Sequence, residues 1–116
     1  MKNLFDIVGA TIKTIMIIEE ETRLLNEIKS SLEKEDFAVV TAQNNREALE
    51  CLNQKSEESF DLILVNTRMP GSLQTSALFC LKPPMKKQPG GIEQFLQKPF
   101  TKQELILFVR EKIRPE

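Results

Sequence analysis

The sequence predicts one small α/β domain with a parallel sheet, and three observations support this prediction. The 116 residues suit a single domain, since a chain of this length buries enough surface for one core. Hydrophobic residues make up 41% and charged residues 28%, which is a globular composition. Short apolar runs alternate with segments whose apolar residues recur at helical spacing. Because this alternation is typical of βαβ units, we expect parallel strands with helices on both faces.

The first three strands and two helices are predicted between residues 15 and 66. Residues 15–18 are continuously apolar, as in a strand buried on both faces. Helical spacing then appears in Leu24, Leu25, Ile28 and Leu32. Residues 37–41 predict the second strand. The second helix is expected to have one apolar face and an asparagine cap, from Ala48, Leu49 and Leu52 and from Asn44 or Asn45. Residues 62–65 predict a third buried strand that ends at Asn66.

The region between Asn66 and Lys98 is too short for the usual number of elements. Two helices, two strands and four loops need roughly 45 residues, and only 31 lie between these positions. Residues 83–91 also contain three prolines and two glycines, which disfavour a helix. We therefore expect a strand over residues 76–81, a loop in place of the helix after it, and at most one helical turn before it.

The C-terminal part predicts one more strand and a final helix. Residues 92–96 are expected to form the strand. Thr101 and Glu104 match the T-x-x-E capping box, which satisfies two free amide groups at the start of a helix. The apolar face of that helix is predicted from Leu105, Phe108, Val109 and Ile113.

Residues 1–13 are interpreted as an N-terminal extension, and residues 14–116 as the domain itself. The extension has apolar residues before Gly9, namely Leu4, Phe5, Ile7 and Val8. A short helix that covers the shortened middle of the domain and a frayed terminus are both compatible with this sequence.

Charge, cysteine content and hydropathy narrow the function classes. The formal net charge is −1, so no overall field favours nucleic acid or an anionic membrane, and we expect neither as a partner. No apolar run approaches the roughly 18 residues of a membrane span, which predicts a cytoplasmic protein. Histidine is absent, and Cys51 and Cys80 are expected in the core. The sequence therefore predicts neither histidine-based catalysis nor a structural zinc site.

Four polar residues are predicted to meet at the carboxyl ends of the strands. Glu19 and Glu20 follow the first strand, Asn66 follows the third, and Lys98 follows the last. Functional residues gather at this edge in open parallel sheets. An acid pair, a central side chain and a lysine suit phosphoryl transfer. In such a site the acids hold Mg²⁺, the central side chain accepts phosphate, and the lysine pairs with the phosphate oxygens.

Three of these segments resemble the receiver domain of two-component response regulators. I-M-I-I-E-E-E at residues 15–21 is similar to the family's first-strand motif. D-L-I-L-V-N-T-R-M-P-G at residues 61–71 is similar to the strand that carries the phosphoacceptor, and F-L-Q-K-P-F at residues 95–100 to the last strand. The resemblance implies a functional lysine at Lys98 and a cis proline at Pro99. It also implies a flavodoxin-like doubly wound sheet in the order 2-1-3-4-5, shortened between the third and fifth strands, with at least one helix lost.

The departures from the family pattern concern phosphorylation. Asn66 stands where the family has its phosphoacceptor aspartate, and an amide does not form the acyl phosphate that a carboxylate forms. Glu19 and Glu20 are longer than aspartates, so we expect at most weak Mg²⁺ binding and no required cofactor. The hydroxyl that normally closes the fourth strand aligns with Lys82. We therefore expect a pseudo-receiver that is not an enzyme.

Simpler structural roles compete with each of these interpretations. Glu19 and Glu20 also suit the start of the following helix, where acids interact favourably with the helix dipole. Asn66 also suits a polar strand end, and Lys98 an ion pair with either glutamate.

For function, we expect binding to another signalling protein, such as a histidine kinase, a receiver or an output domain, with a homodimer also compatible. The alternatives are a receiver that still responds to Mg²⁺ and phosphoryl groups, and a small-ligand sensor in the strand-end crevice.

Overall fold

The computed structural model describes residues 12–71, 74–83 and 92–113, which form one five-stranded sheet with helices on both faces. The strands are β1 (Thr14–Ile18), β2 (Ala38–Ala42), β3 (Leu62–Arg68), β4 (Ser76–Leu81) and β5 (Phe95–Gln97). The α-helices are α1 (Thr22–Glu33), α2 (Asn45–Gln54) and α3 (Lys102–Ile113), and two short 3₁₀ helices are Glu57–Ser59 and Ile92–Gln94. The strand order β2-β1-β3-β4-β5 confirms the predicted order. The expectations for residues 1–11 and 84–91 lie outside the described residues.

The first three strands form the parallel part of the sheet. β1 pairs in parallel with β2 on one side and with β3 on the other. Ile15, Met16 and Ile17 of this central strand are each 0% exposed. Because successive side chains of a strand point to opposite faces, a strand with both faces covered needs apolar residues at every position. This explains the continuous apolar run that predicted β1.

β4 runs antiparallel to both of its neighbours, so the sheet is mixed and not parallel throughout. The physical reason is the length of the connection. Only residues 69–75 join β3 to β4, whereas a parallel crossover needs about a dozen residues or more. The two strands instead form a hairpin in which Arg68 pairs with Ser76. The predicted strand over residues 76–81 is confirmed, and the described residues between β3 and β4 contain no helix.

Four strands differ in their boundaries from the sequence prediction, and the smallest difference is in β1, which begins one residue earlier, at Thr14. β3 continues past Asn66 to Arg68, because the hairpin with β4 supplies pairing partners for the additional residues. The last strand is Phe95–Gln97, and Ile92–Gln94 forms a 3₁₀ turn instead of a strand. β5 pairs with only three residues of β4, so the chain before Phe95 has no strand partner in that pairing. β2 is Ala38–Ala42, one residue later than predicted.

The sheet separates two hydrophobic clusters. The larger lies between the sheet and helices α1 and α3, and its buried members are Ile15, Ile17, Leu25, Ile28, Leu32, Leu62, Leu64, Leu78, Cys80, Leu105 and Val109. The smaller lies between the sheet and α2, and its buried members are Met16, Ala42, Ala48, Phe60 and Ile63. Within the described part of the chain, α2 is the single α-helix on that second face.

The helix starts follow the capping patterns in the sequence. Asn44, and not Asn45, caps α2, since its Oδ1 accepts a hydrogen bond from the backbone N–H of Glu47 at 2.9 Å. Thr101 and Glu104 form the predicted capping box at the start of α3. The Thr101 N–H donates to Glu104 Oε1 at 2.8 Å, and the Glu104 N–H donates to Thr101 Oγ1 at 3.0 Å.

Both cysteines pack in the core, as predicted. Cys80 is buried on β4, and Cys51 is half-buried on α2, where it contacts the smaller cluster together with Leu52. Leu49 was predicted for the same face of α2, but its side chain is 60% exposed. The prediction was wrong because Leu49 and Cys51 are two residues apart, which places them on roughly opposite sides of a helix.

Candidate functional site

Lys98 lies beside the carboxyl ends of β1 and β3, and its ammonium group contacts two of the side chains predicted for this site. Nζ donates a hydrogen bond to Glu19 Oε1 at 2.5 Å and another to Asn66 Oδ1 at 2.8 Å. Glu19 directly follows β1, and Asn66 lies one residue beyond the last β3 residue that pairs with β1. Three of the four predicted polar residues are therefore in contact, with Lys98 hydrogen-bonded to both Glu19 and Asn66.

The backbone around Lys98 is fixed by β4 as well as by β5. The Lys98 N–H donates to the carbonyl oxygen of Ser76, the first residue of β4, at 2.9 Å. The next peptide bond, between Lys98 and Pro99, is cis, which is the conformation that the family resemblance implied. The ends of β1, β3, β4 and β5 are thus joined through the backbone and side chain of one residue.

Glu19 is a buried carboxylate whose two oxygens both have partners. Its side chain is 1% exposed, and burying a carboxylate costs free energy unless it is paired and hydrogen-bonded. Oε1 accepts from Lys98, and Oε2 accepts from the backbone N–H of Glu21 at 3.0 Å, just before α1. Glu19 therefore forms the ion pair with lysine that was considered from the sequence, and it does not cap α1, because its second oxygen accepts from the N–H of Glu21, the residue before the helix.

Glu20 differs from Glu19 although the two are adjacent in sequence. It is exposed, and its carboxylate makes no hydrogen bond or ion pair with the described residues. It faces a small pocket of about 260 Å³. We call this the amide pocket, because four of its six lining residues carry side-chain amides: Ile18, Glu20, Gln43, Asn44, Asn45 and Asn66.

A wider groove of about 550 Å³ is also lined by Lys98. Its walls include Thr75 and Ser76, which precede and begin β4, and the apolar side chains of Pro99 and Phe100. The prediction that Lys82 occupies the hydroxyl position of this site is wrong. Because β4 is antiparallel to β3, Lys82 follows β4 at the opposite edge of the sheet. Thr75 and Ser76, which carry hydroxyl groups, lie beside Lys98 instead.

Sequence reasoning missed Thr75 and Ser76, although a signal for them was present. The seven residues between Arg68 and Ser76 are too few for a parallel crossover, so an antiparallel hairpin was the remaining way to place β4 beside β3. In an antiparallel hairpin, the start of β4, and not its end, lies at the edge of the sheet where β1 and β3 end.

These residues do not fit the Mg²⁺ site that the receiver resemblance implies. Mg²⁺ needs oxygen ligands in a tight octahedral arrangement. Both oxygens of Glu19 already accept hydrogen bonds, and Asn66 Oδ1 faces Lys98, so only Glu20 offers a carboxylate that is not engaged. Among the described residues, no three carboxylate, cysteine or histidine side chains are grouped as a metal ion would require.

The buried thiol of Cys80 does not add a nucleophile to the site. Burial raises the pKa of this thiol to about 11, and the positive charges of Lys112 and Lys82 oppose part of that increase. A thiol with this pKa stays protonated at neutral pH, and the thiolate is the reactive form. Cys80 therefore acts as a small core side chain.

Comparison with known proteins agrees with this fold. The sequence model of the response regulator receiver domain matches residues 15–76, which is more than half of the chain. The chain therefore belongs to the response regulator receiver domain family, whose members are modules of two-component signalling.

One curated relative is the transcriptional regulatory protein ResD of Bacillus subtilis (strain 168), which is 25% identical over 119 aligned residues. The alignment covers 86% of this chain and 48% of ResD, so the chain spans about half the length of that relative. No solved structure gives a significant match. Across the described residues, none of the helices has the length and apolar character needed to cross a membrane.

Proposed function

We propose that this receiver domain acts by binding another signalling protein without a phosphorylation cycle. The observation that carries the proposal is the hydrogen bond from Lys98 Nζ to Asn66 Oδ1. An amide stands at the phosphoacceptor position and is already the partner of the lysine that would otherwise contact a phosphoryl group. Because an amide does not form an acyl phosphate, the family's usual modification has no acceptor at this position.

The charges around Lys98 support the same proposal. The ammonium group of Lys98 and the carboxylate of Glu19 carry opposite formal charges, and Asn66 adds none. Each Glu19 oxygen already accepts a hydrogen bond, one from Lys98 and one from the Glu21 N–H, so a Mg²⁺ ion would compete with these donors. This arrangement favours one constant conformation of the site, with no requirement for a metal cofactor.

The partner we propose is a protein of a two-component pathway, namely a histidine kinase, another receiver or an output domain. A second copy of this chain is a further candidate of the same kind. The name of ResD describes a transcriptional regulator, which supports an output protein among these partners. The proposal places the module in the cytoplasm, gives it no enzymatic turnover, and assigns no nucleic-acid or membrane contact to the domain itself.

Amide NMR spectra of the wild-type domain test this proposal. The domain is titrated with MgCl₂ and then with beryllofluoride, which mimics a phosphoryl group on a carboxylate. We expect the backbone signals of Glu19, Asn66 and Lys98 to stay unmoved in both steps. Saturable shifts of these signals in both steps would mean that the site still responds to metal and phosphoryl groups, and the proposal would then be wrong.

A further inference from the structure

Two asparagines of the amide pocket have side-chain N–H₂ groups that can donate hydrogen bonds to a ligand, whereas a metal site needs oxygen atoms. The first of these asparagines is Asn66. An ammonium group has donors and no acceptor, so the Asn66 atom that faces Lys98 Nζ must be the amide oxygen. Because Lys98 can only donate, it determines which atom of the Asn66 amide is the oxygen and which is the nitrogen. The Asn66 Nδ2 group donates to none of the described residues, so it can donate to a ligand in the pocket that Asn66 lines.

Asn44 is oriented by the same argument. Its side chain accepts a hydrogen bond from the backbone N–H of Glu47, which can only donate, so the atom engaged is again the amide oxygen. Its Nδ2 group makes no hydrogen bond within the described part of the chain. The pocket is thus lined by two asparagines, one on β3 and one capping α2, whose N–H₂ groups have no partner among the described residues.

Glu20 supplies the charge of the pocket and an anionic acceptor. It is the one charged residue among the six that line the pocket, and it is exposed. A metal ion would meet two N–H₂ groups where it needs oxygen atoms. A simple anion would be repelled by the Glu20 carboxylate. A matching ligand therefore carries acceptor oxygens on one side and a cationic donor on the other.

We propose that the amide pocket binds a free α-amino acid. The carboxylate of the ligand accepts hydrogen bonds from the amide nitrogens of Asn66 and Asn44, and its ammonium group donates to Glu20. The volume of about 260 Å³ leaves room for a small side chain. The proposal rests on the proposed function in one respect, because it requires Asn66 to remain unphosphorylated, and it makes no assumption about the protein partner.

Nitrogen-15 NMR of the full chain tests the proposal directly, because the side-chain N–H₂ groups of asparagine give their own signals. The wild-type protein is titrated with each of the standard L-amino acids, and separately with MgCl₂. We expect at least one amino acid to shift the N–H₂ signals of Asn66 and Asn44 saturably at millimolar concentration. MgCl₂ is expected to leave both signals in place.

Three variants establish whether the contacts are the proposed ones. Glu20→Gln removes the charged acceptor, and Asn66→Asp replaces a donor with a charged acceptor. Each is expected to weaken binding about tenfold or more, as for loss of a hydrogen bond to a charged group. Glu50→Gln is the matched control, because Glu50 pairs with Arg46 on the exposed side of α2 and does not line the pocket. Its affinity is expected to equal that of the wild type.

The proposal is overturned if no amino acid shifts the Asn66 and Asn44 signals, or if Glu20→Gln and Asn66→Asp bind as tightly as the wild type. Saturable movement of the Asn66 N–H₂ signal with MgCl₂ would equally overturn it. These results are separable from a failure of the proposed function. If no amino acid binds, the proposed phosphorylation-independent interaction still stands. A response to both Mg²⁺ and beryllofluoride contradicts that interaction, regardless of the amino acid titrations.

Discussion

The first three strands and the last two strands of this sheet are connected in different ways. β1, β2 and β3 are parallel, and the chain between them contains the helices α1 and α2. β4 follows β3 through a short hairpin and is antiparallel to both neighbours. Because β5 is antiparallel to β4, it runs in the same direction as β1 and β3. Lys98, which follows β5, therefore still reaches Glu19 and Asn66, and only the residues of β4 change edges.

The central strand β1 and the edge strand β5 also differ in how well their side chains are buried. The three central residues of β1 are fully buried, whereas Phe95 and Leu96 of β5 are half-buried. Phe95 stacks on Phe79 of β4 with ring centroids 4.7 Å apart. The comparison indicates that β5 contributes less to the core than β1 does, and that β5 mainly positions Lys98, whereas Leu78 and Cys80 of β4 are buried in the larger cluster.

The largest expected effect compares one leucine from each part. Leu64→Ala on β3 removes a fully buried side chain from the larger cluster, and we expect a loss of about 2–5 kcal/mol in the free energy of unfolding. Leu96→Ala on β5 removes a half-buried side chain at the margin of the same cluster and is expected to cost less than half as much. Chemical denaturation of both variants measures the difference. Equal losses would contradict the smaller contribution of β5 to the core.

A smaller effect is expected at the ion pair that joins the two parts. Glu19→Gln keeps an acceptor for the Glu21 N–H but leaves Lys98 without its carboxylate, and we expect a loss of roughly 1–3 kcal/mol in unfolding free energy. Glu20→Gln is the matched control, because the same change occurs one residue later on an exposed side chain. Its stability is expected to equal that of the wild type. If both variants unfold alike, the Glu19–Lys98 pair does not stabilise the strand ends.

The sequence predicted the parallel part well because its signals are local. The apolar run before Glu19, the helical spacing after it and the polar residue at Asn66 each depend on neighbouring residues, and these elements occur where expected. The strand order and the cis bond before Pro99 were implied by the family motifs. The partners of Lys98 were predicted as a set, since one edge of a sheet collects the ends of its parallel strands.

The direction of β4 was missed because it depends on a connection and not on a pattern. A buried strand has the same apolar residues in either direction, so residues 76–81 predict a strand but not its orientation. The family motif supplied a parallel direction by default, and Lys82 was placed at the functional edge as a result. The division of roles between Glu19 and Glu20 was also hidden, because two adjacent glutamates differ only through the contacts that the fold gives them.

The smallest expected effect is the absence of a gain when the phosphoacceptor is restored. Asn66→Asp supplies a carboxylate, but the oxygens of Glu19 remain bound to Lys98 and to the Glu21 N–H, so the exposed Glu20 is the one nearby acid left to share a Mg²⁺ ion with the new side chain. The hydroxyls of Thr75 and Ser76 belong to a strand that approaches the site in the reverse direction. We therefore expect no robust phosphorylation by acetyl phosphate with MgCl₂, measured by intact-protein mass, with the wild type as the control. A phosphoryl adduct on most of the Asn66→Asp protein, absent from the wild type, would show that one side chain alone separates this domain from a working receiver. In that case the reversed strand and the engaged Glu19 would not be what prevents phosphorylation.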